Sequence, residues 1–235
     1  MPHEHAPGLF IRGVKPPLRL TDFKLVAFDM DSTLINIECV DEIAAAAGLK
    51  AQVAAITEAT MRGEIADFKE SLRRRVAMLA GVTVDQVQRV YDERLRFNPG
   101  VERFVAACRS AGLHTLLVSG GFTFFSDRVA QRLALDHARA NELEIVDGHL
   151  TGRMLDQPWG DICDGDEKRR AVLQRCARLG IEPAQAIAVG DGANDLPMMR
   201  AVGLSIAFHA KPAVRAEANI SIEEGGLDRA LEVLV

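Results

Sequence analysis

The sequence lacks the features that mark a membrane protein, an exported protein or a nucleic-acid-binding protein. Its 235 residues contain no apolar run that approaches the roughly 20 residues needed to cross a bilayer. The opening MPHEHAPGLFIRGVKPP does not follow the basic, apolar, small-residue order of a signal peptide, which predicts a cytoplasmic protein. The formal net charge is −5, so no broad basic face is available for nucleic acid. We therefore expect neither a membrane nor a nucleic acid among the partners.

Paired metal-binding thiols and the commonest nucleotide-binding loop are also missing. The four cysteines are scattered without CxxC spacing, at Cys39, Cys108, Cys163 and Cys176. Without an export signal, this pattern predicts reduced, structural thiols. His3 and His5 could bind a metal in principle, but a terminus that contains proline gives them no rigid frame, so we expect a flexible tail. No G-x-x-x-x-G-K-[ST] occurs, which leaves a P-loop site without support.

The sequence does contain enough apolar residues for a full interior, arranged as alternating strand-like and helix-like segments. Hydrophobic residues make up 48% of the chain, which excludes wholesale disorder. The alternating segments are residues 25–28, 101–112, 114–121, 124–135, 167–180, 186–192 and 204–208. Because the strand-like runs are wholly apolar, this order predicts an α/β fold with a parallel sheet covered on both faces. Residues 143–152 instead indicate a hairpin that turns at Asp147-Gly148.

Residues 39–97 differ from the rest of the chain. They contain few glycines and no strand candidate, and they have the pattern of consecutive amphipathic helices. Ligands of open parallel sheets bind beyond the carboxyl ends of the strands, so a helical insert that leaves just after Asp31 would cover that edge like a lid. The predicted organisation is an N-terminal extension, expected to be a loose lead-in, over 1–22, a core over 23–38 and 98–235, and a helical cap over 39–97.

Polar or glycine-rich turns follow three of the apolar strands. Asp29 and Asp31 follow the first strand, residues 119–121 end the second, and residues 191–195 follow the third. The carboxyl ends of parallel strands meet at one edge, so these groups should collect there, and Lys168 would add a cation. Each group also has a plainer interpretation. Asp29 could cap a following turn, residues 119–121 could be a simple turn, and Lys168 could be a surface residue. Only their combination favours a functional site.

Such a cluster has a chemical requirement. Its four carboxylates are Asp29, Asp31, Asp191 and Asp195. A phosphate could not enter without a cation, and hard oxygen ligands without a paired His/Cys set point to Mg²⁺. The metal would polarise a phosphoryl oxygen, while Ser119, Lys168 and loop N–H groups could bind the other oxygens. A carboxylate nucleophile and an acid–base carboxylate would both be at hand.

Four motifs, in order along the chain, resemble those of the haloacid dehalogenase superfamily of phosphatases. They are DMDSTL, VSGG, Lys168 and GDGANDLPM. The stretches DMDSTLINIECVDEIA and ADFKESLRRRVAML are similar to the phosphoserine phosphatases within that superfamily. The resemblance implies a doubly wound, Rossmann-like core with an inserted helical cap. It also implies Mg²⁺-dependent hydrolysis of a small-molecule substrate, O-phospho-L-serine, in the last step of serine biosynthesis, by a monomer or homodimer. The first 22 residues are too short for the additional regulatory domain of some relatives.

The resemblance assigns roles at the reacting centre. It implies that Asp29 is the nucleophile that forms an aspartyl-phosphate and that Asp31 protonates the leaving oxygen and later activates water. Mg²⁺ would be held by the Asp29 side chain, the Asp31 backbone carbonyl and Asp191. Ser119 and Lys168 would bind the phosphoryl group. Asn194 and Asp195 would support the metal and the lysine, and Asn194 would also contact the substrate.

The resemblance also implies how the rest of the substrate is held. Glu38 and Arg75 would bind its ammonium and carboxylate groups, Met61 and Phe68 would line the pocket, and Gly120 would offer a backbone contact. The chemistry agrees, because a guanidinium matches carboxylate geometry. Without the resemblance, these residues have plainer interpretations. Arg75 belongs to a run of three arginines that would indicate a solvated helix face, and Glu38 would be a surface residue. Met61 and Phe68 would belong to an ordinary helix core.

Three other functions compete with this one. The first keeps the site but acts on another small phosphomonoester or transfers the phosphoryl group to an acceptor such as homoserine. The second is a catalytically silent sensor, which the intact Asp29, Asp31, Lys168 and Asp191 oppose. The third is a nicotinamide oxidoreductase, which needs Gly or Ala where GDGAND ends in Asp195.

Overall fold

A mixed β-sheet runs through the middle of the protein. The computed structural model describes residues 2–62, 64–65 and 67–235, with the Met61 side chain also outside the description. In chain order the strands of this part are β1 (His3–Ala6), β2 (Leu9–Ile11), β3 (Leu25–Phe28), β4 (His114–Phe122), β5 (His137–Val146), β6 (His149–Leu155), β7 (Ala186–Gly190), β8 (Leu204–Phe208) and β9 (Ile220–Ile222). Their spatial order is β1-β2-β9-β8-β7-β3-β4-β5-β6. The pairs β1/β2, β2/β9 and β5/β6 are antiparallel, and the other pairs are parallel.

Helices connect the parallel strands and form an insertion after β3. They are α1 (Cys39–Ala46), α2 (Lys50–Met61), α3 (Phe68–Ala77), α4 (Val84–Arg89), α5 (Val101–Ser110), α6 (Thr123–Leu133), α7 (Gly165–Leu179), α8 (Leu196–Met199) and α9 (Pro212–Arg215). A π-helical turn, Val90–Arg94, continues α4. In the described part of the chain, these helices are too short or too polar to span a membrane.

The residues of β3 are all apolar because both faces of this strand are buried. Successive side chains of a strand point to opposite faces of the sheet. Val26 and Phe28 join one buried cluster, in which Phe104 of α5 packs edge-on against Phe28 with 6.1 Å between ring centroids. Leu25 and Ala27 join a second buried cluster that includes residues of α7 and α8. Helices therefore cover both faces, and the predicted α/β fold with a doubly wound parallel sheet is confirmed.

The strand order creates a crevice between β3 and β7. The chain builds β3, β4 and β5 outward on one side and β7, β8 and β9 outward on the other. Ligands of such sheets bind where the strand order reverses, beyond the carboxyl ends. Phe28 pairs with Val189 in parallel register, so the two strands end side by side. Asp29 and Asp191 follow these strands and are thereby brought to the reversal point.

Helices α1 to α4 lie between β3 and β4 in the chain, where the sequence predicts the cap. The Asp67 side chain accepts the Lys69 N–H at 3.1 Å and begins α3. The insertion also contacts the hairpin β5–β6, because the Gly81 N–H donates to the Leu150 carbonyl at 2.8 Å. The insertion therefore rests partly on the hairpin, and the cap boundaries at 39 and 97 stay a proposal.

The expectation of a loose lead-in over residues 1–22 is wrong. Strand β2 pairs with β9, and the side chains of Leu9 and Ile11 are 0% exposed. The expected flexible tail at His3 and His5 is also wrong, because both residues belong to β1, where their side chains are exposed. The pairing of β2 with β9 and the burial of its apolar side chains stabilise this segment. Its partner strand lies at the other end of the chain, so no local pattern reveals the pairing.

Candidate active site

A buried carboxylate is paired with a buried lysine at the carboxyl end of β3. The N–H of Asp29 donates to the Val189 carbonyl at 2.9 Å, which extends the sheet to this residue. Asp29 is 5% exposed and Lys168, from α7, is 0% exposed. The lysine Nζ lies 2.5 Å from Asp29 Oδ1 and 2.7 Å from Asp195 Oδ1. Three residues that are far apart in the sequence thus meet at the predicted edge of the sheet.

The charges of this cluster do not balance. Burial raises the pKa of Asp29 well above its ordinary value, Asp195 and Asp191 raise it further, and Lys168 opposes them. Burial alone would lower the pKa of Lys168, but Asp195 and Asp29 outweigh it, so that pKa is raised. The lysine keeps its proton, yet one cation faces three carboxylates. The excess negative charge is what a divalent cation would offset.

Three of the carboxylates are close enough to share an ion. Oxygens of Asp29, Asp191 and Asp195 lie within 4.8 Å of one another. Asp195 is engaged elsewhere, since its Oδ1 accepts from Lys168 and its Oδ2 accepts the N–H groups of Asp191 and Gly192 at 3.1 and 3.0 Å. Asp29 and Asp191 therefore remain as the side chains that could hold a metal. An all-oxygen donor set of this kind fits a hard divalent cation.

Asp31 is held by the start of α1. Its Oδ2 accepts the Cys39 N–H at 2.8 Å, and its Oδ1 accepts the Cys39 thiol at 3.2 Å. Burial, and secondly Glu38, raise the pKa of Asp31 to about 7. Burial and the charge of Asp31 raise the pKa of the Cys39 thiol well above its ordinary value, so the thiol stays a donor. A carboxyl group with a pKa near neutrality can give a proton to a leaving group and later take one from water.

The carboxyl-terminal part of β4, where the register with β5 shifts between Val118 and Phe122, brings backbone close to the helical insertion. Ser119 is fully buried, and its Oγ accepts the Gly121 N–H at 2.8 Å. A Cβ at Gly120 would lie 3.2 Å from Cζ of Phe68 in α3, and a Cβ at Gly121 would lie 2.9 Å from Cε of Met30. Glycine at both positions avoids these close contacts, and without side chains the backbone N–H groups of this segment can approach an anion.

A cavity of about 480 Å³ lies between this edge of the sheet and the helical insertion. The residues of its lining that the sequence predicts for the site are Asp29, Asp31, Glu38, Phe68, Arg75, Ser119, Gly120, Asp191 and Asn194. Lys168 and Asp195 lie behind Asp29 and do not line the cavity. The predicted contact of Met61 lies outside the described residues. The volume is in the range of small-molecule sites.

The two predicted selectivity residues differ in their surroundings. Oε1 of Glu38 accepts the Ser32 hydroxyl at 2.7 Å, and Ser32 adopts a left-handed backbone with φ of 58°. Nε of Arg75 is buried and has no hydrogen-bond partner among the described residues. The arginine therefore belongs to the cavity rather than to a wholly solvated helix face.

Several residues of the cavity lining were not predicted from the sequence. They are Asp41, Thr57, Thr60, Ser71 and Lys211. Asp41 had a signal, because it lies three positions after Glu38 and thus on the same face of α1. Thr60 and Ser71 had none, since their hydroxyl oxygens, 2.7 Å apart, meet only through the packing of α2 on α3. Lys211 is a loop residue whose N–H donates to the Asp191 carbonyl at 3.0 Å.

The chain is similar to known proteins along its whole length. Residues 26–200 match the family model of haloacid dehalogenase-like hydrolases. The phosphoserine phosphatase of Albidiferax ferrireducens is 71% identical over 97% of this chain and 96% of that protein. The phosphoserine phosphatase of a Polaromonas species is 66% identical over 99% of both.

Solved structures agree with the sequence match. A phospho-aspartyl intermediate analogue of a phosphoserine phosphatase superimposes with a TM-score of 0.82 at 36% identity, over 91% of this chain and 99% of that chain. A substrate-bound phosphoserine phosphatase complex has the same TM-score of 0.82, with 36% identity and coverage of 91% and 99%. The predicted resemblance is confirmed by sequence and by fold, and this chain belongs to the family of haloacid dehalogenase-like hydrolases.

Proposed function

We propose that this chain is a metal-dependent phosphatase that hydrolyses O-phospho-L-serine to L-serine and phosphate through an aspartyl-phosphate. The observation that carries the proposal is a buried carboxylate, Asp29, held by Lys168 at a cavity where a second acid, Asp31, has a pKa of about 7. Relatives at 71% and 66% identity are phosphoserine phosphatases, which supports the same substrate here.

In the first step, Asp29 attacks the phosphorus atom and the bond from phosphorus to the serine oxygen breaks. Lys168 orients the attacking carboxylate through Oδ1, and Asp31 gives its proton to the departing oxygen. Ser119 and the backbone N–H groups that follow it at the end of β4 bind the phosphoryl oxygens. The products of this step are serine, an aspartyl-phosphate at Asp29 and an ionised Asp31.

In the second step, Asp31 takes a proton from water while the water oxygen attacks phosphorus. The bond between phosphorus and Asp29 breaks, phosphate leaves, and Asp31 is again protonated. Mg²⁺, held by the side chains of Asp29 and Asp191 and the Asp31 carbonyl, would supply charge neutralisation and polarisation of a phosphoryl oxygen. We choose Mg²⁺ because the donors are hard oxygens.

Selectivity for phosphoserine is proposed to come from the insertion. Arg75 offers a fork of donors to the substrate carboxylate, and Glu38 offers an acceptor to its ammonium group. Phe68 packs over Gly120 and would close the cavity above the phosphate. We accordingly propose that residues 39–97 act as the cap of a core formed by 23–38 and 98–235.

The test is phosphate release from O-phospho-L-serine, with and without Mg²⁺, beside a panel of other phosphoamino acids, including O-phosphohomoserine, and p-nitrophenyl phosphate. We expect the highest kcat/KM for phosphoserine, loss of activity in EDTA and recovery on adding Mg²⁺. A better rate on O-phosphohomoserine would favour the alternative substrate, and activity that resists chelation would contradict the metal proposal.

A further inference from the structure

We infer that Asp41 is a second receptor for the substrate's ammonium group and thereby sets the preference for amino-bearing phosphate esters. The inference rests on the proposed hydrolysis of phosphoserine. Asp41 lies in the first turn of α1, and its side chain lines the same cavity as the proposed nucleophile Asp29.

Unpartnered buried atoms single out this residue. Among the described residues, such side-chain atoms belong to Arg12, Asp41, Arg75, Arg175 and Ser221. Only Asp41 Oδ1 and Arg75 Nε of this described set also belong to residues that line the main cavity. A buried polar atom without a partner is unfavourable, because it has lost its water without gaining a hydrogen bond. Two residues of the cavity lining therefore carry a buried acceptor and a buried donor of opposite charge without a hydrogen-bond partner among the described residues. This pair of charges matches the ammonium and carboxylate groups of an amino acid.

The substrate ammonium has more donors than Glu38 alone can satisfy. An ammonium group carries three N–H donors. Glu38 is exposed and already accepts the Ser32 hydroxyl through Oε1 at 2.7 Å, which leaves it part of its capacity. Asp41 lies three residues further on, where side chains on a helix share one face. Together the two acids can accept two or more of the three N–H groups.

The position within the helix makes a second acid useful. The N-terminus of a helix carries a partial positive charge, which repels a cation. Glu38 is the N-cap residue of α1 and Asp41 is the third residue of the helix, so an ammonium bound by both acids would lie near the N-terminal end of α1. Two carboxylates would offset this partial positive charge. An acid here would also stabilise the helix through its dipole, but that role does not require it to line the cavity.

The experiment compares the wild type with Asp41→Asn on three phosphate esters. O-phospho-L-serine has both charged groups, O-phosphoethanolamine keeps only the ammonium, and 3-phosphooxypropanoate keeps only the carboxylate. We expect kcat/KM to fall about 10- to 100-fold on the two amino-bearing esters, which is the loss of one charge-assisted hydrogen bond. The fall should be mainly in KM, and kcat/KM on 3-phosphooxypropanoate should change less than about threefold on the same reasoning.

Glu42→Gln is the matched control. Glu42 is the next residue of the same helix, and its carboxylate pairs with Arg94 at 2.6 Å instead of lining the cavity. We expect this variant to leave all three esters nearly unchanged. Asp41→Glu, which restores the charge, should recover part of the selectivity. If Asp41→Asn does not fold, Asp41→Ser removes the same charge and gives the same contrast.

The outcomes separate this inference from the proposed function. An equal fall on all three esters would assign Asp41 a structural role and overturn the inference, and so would an unchanged preference for amino-bearing esters. Both results leave phosphoserine hydrolysis by the wild type intact. A wild type inactive on phosphoserine in the presence of Mg²⁺ would instead overturn the proposed function, and with it the inference.

Discussion

A carboxylate as buried as Asp29 is costly unless positive charge neutralises it. Lys168 supplies one positive charge but shares it with Asp195, at 2.5 and 2.7 Å. Without another cation, burial and the neighbouring acids therefore raise the pKa of Asp29. A protonated Asp29 could not act as a nucleophile, whereas a bound metal would keep its carboxylate ionised. The bound cation would thus both offset the excess negative charge and keep the carboxylate ionised for attack.

Asp29→Asn tests the proposed nucleophile. The amide has nearly the same shape but cannot form an acyl-phosphate, so we expect turnover of phosphoserine to fall to below about 1% of the wild-type value. Rapid quenching with labelled substrate should show no phosphorylated protein. The circular dichroism spectrum should stay native, which separates lost chemistry from lost folding. Substantial remaining turnover would assign the attack to another group.

Arg75→Ala tests carboxylate recognition. We expect KM for phosphoserine to rise about 10- to 100-fold, because a charge-assisted, two-pronged contact is lost. Hydrolysis of p-nitrophenyl phosphate, which has no carboxylate, should change little. Arg74→Ala is the matched control, because Arg74 pairs with Glu70 at 2.7 Å and does not line the cavity. Equal damage to both substrates would remove Arg75 from carboxylate recognition.

At the scale of elements, local patterns predicted the parallel strands and the helices between them. Wholly apolar runs that end in Asp29 or residues 119–121 indicate strands whose polar ends meet, and the structure brings these ends together. Strands β1 and β2 were missed, since β2 is only Leu9–Ile11 and its partner β9 lies some 200 residues away. Asp41 was missed for another reason, because an acid in the first turn of a helix has an ordinary local explanation.

Asp161→Asn tests the contact between the insertion and the core. The Asp161 carboxylate accepts from Lys69 of α3 at 2.9 Å and from Arg73 at 2.5 Å, so it links the proposed cap to the segment before α7. These pairs are partly exposed, and such pairs contribute about 0–1 kcal/mol each. We therefore expect KM for phosphoserine to rise no more than about fivefold.

High salt should raise the KM of the wild type for phosphoserine in the same way as this variant does, because screening weakens exposed ion pairs. The control is Glu70→Gln, which breaks an ion pair with Arg74 on the same helix without touching the core. An Asp161→Asn enzyme that responds to salt as strongly as the wild type would show that these pairs do not hold the cap in place.

At the scale of the whole molecule, the sheet and the insertion enclose one cluster of acids at the strand-order reversal. Burial first, then Asp195 and Glu38, raise the pKa of Asp191 to about 6. Between about pH 4 and pH 6, the folded metal-free protein therefore holds a proton on Asp191 that the unfolded chain has already released. This group contributes stability below its unfolded pKa, and the contribution is lost as the pH rises through about 6.

Metal binding should reverse this loss, because a ligand carboxylate must be ionised. We expect the gain in Tm on adding Mg²⁺ to be small at pH 5 and to grow as the pH rises through about 6, the pKa of Asp191. One competing proton changes the binding free energy by about 1.4 kcal/mol per pH unit, or about 3–5 °C in Tm for a chain of this size. Asp191→Asn should abolish most of the gain at every pH, whereas Asp161→Asn, outside the cluster, should keep it. A gain in Tm that does not vary between pH 5 and pH 8 would mean that the cation binds away from the acidic cluster.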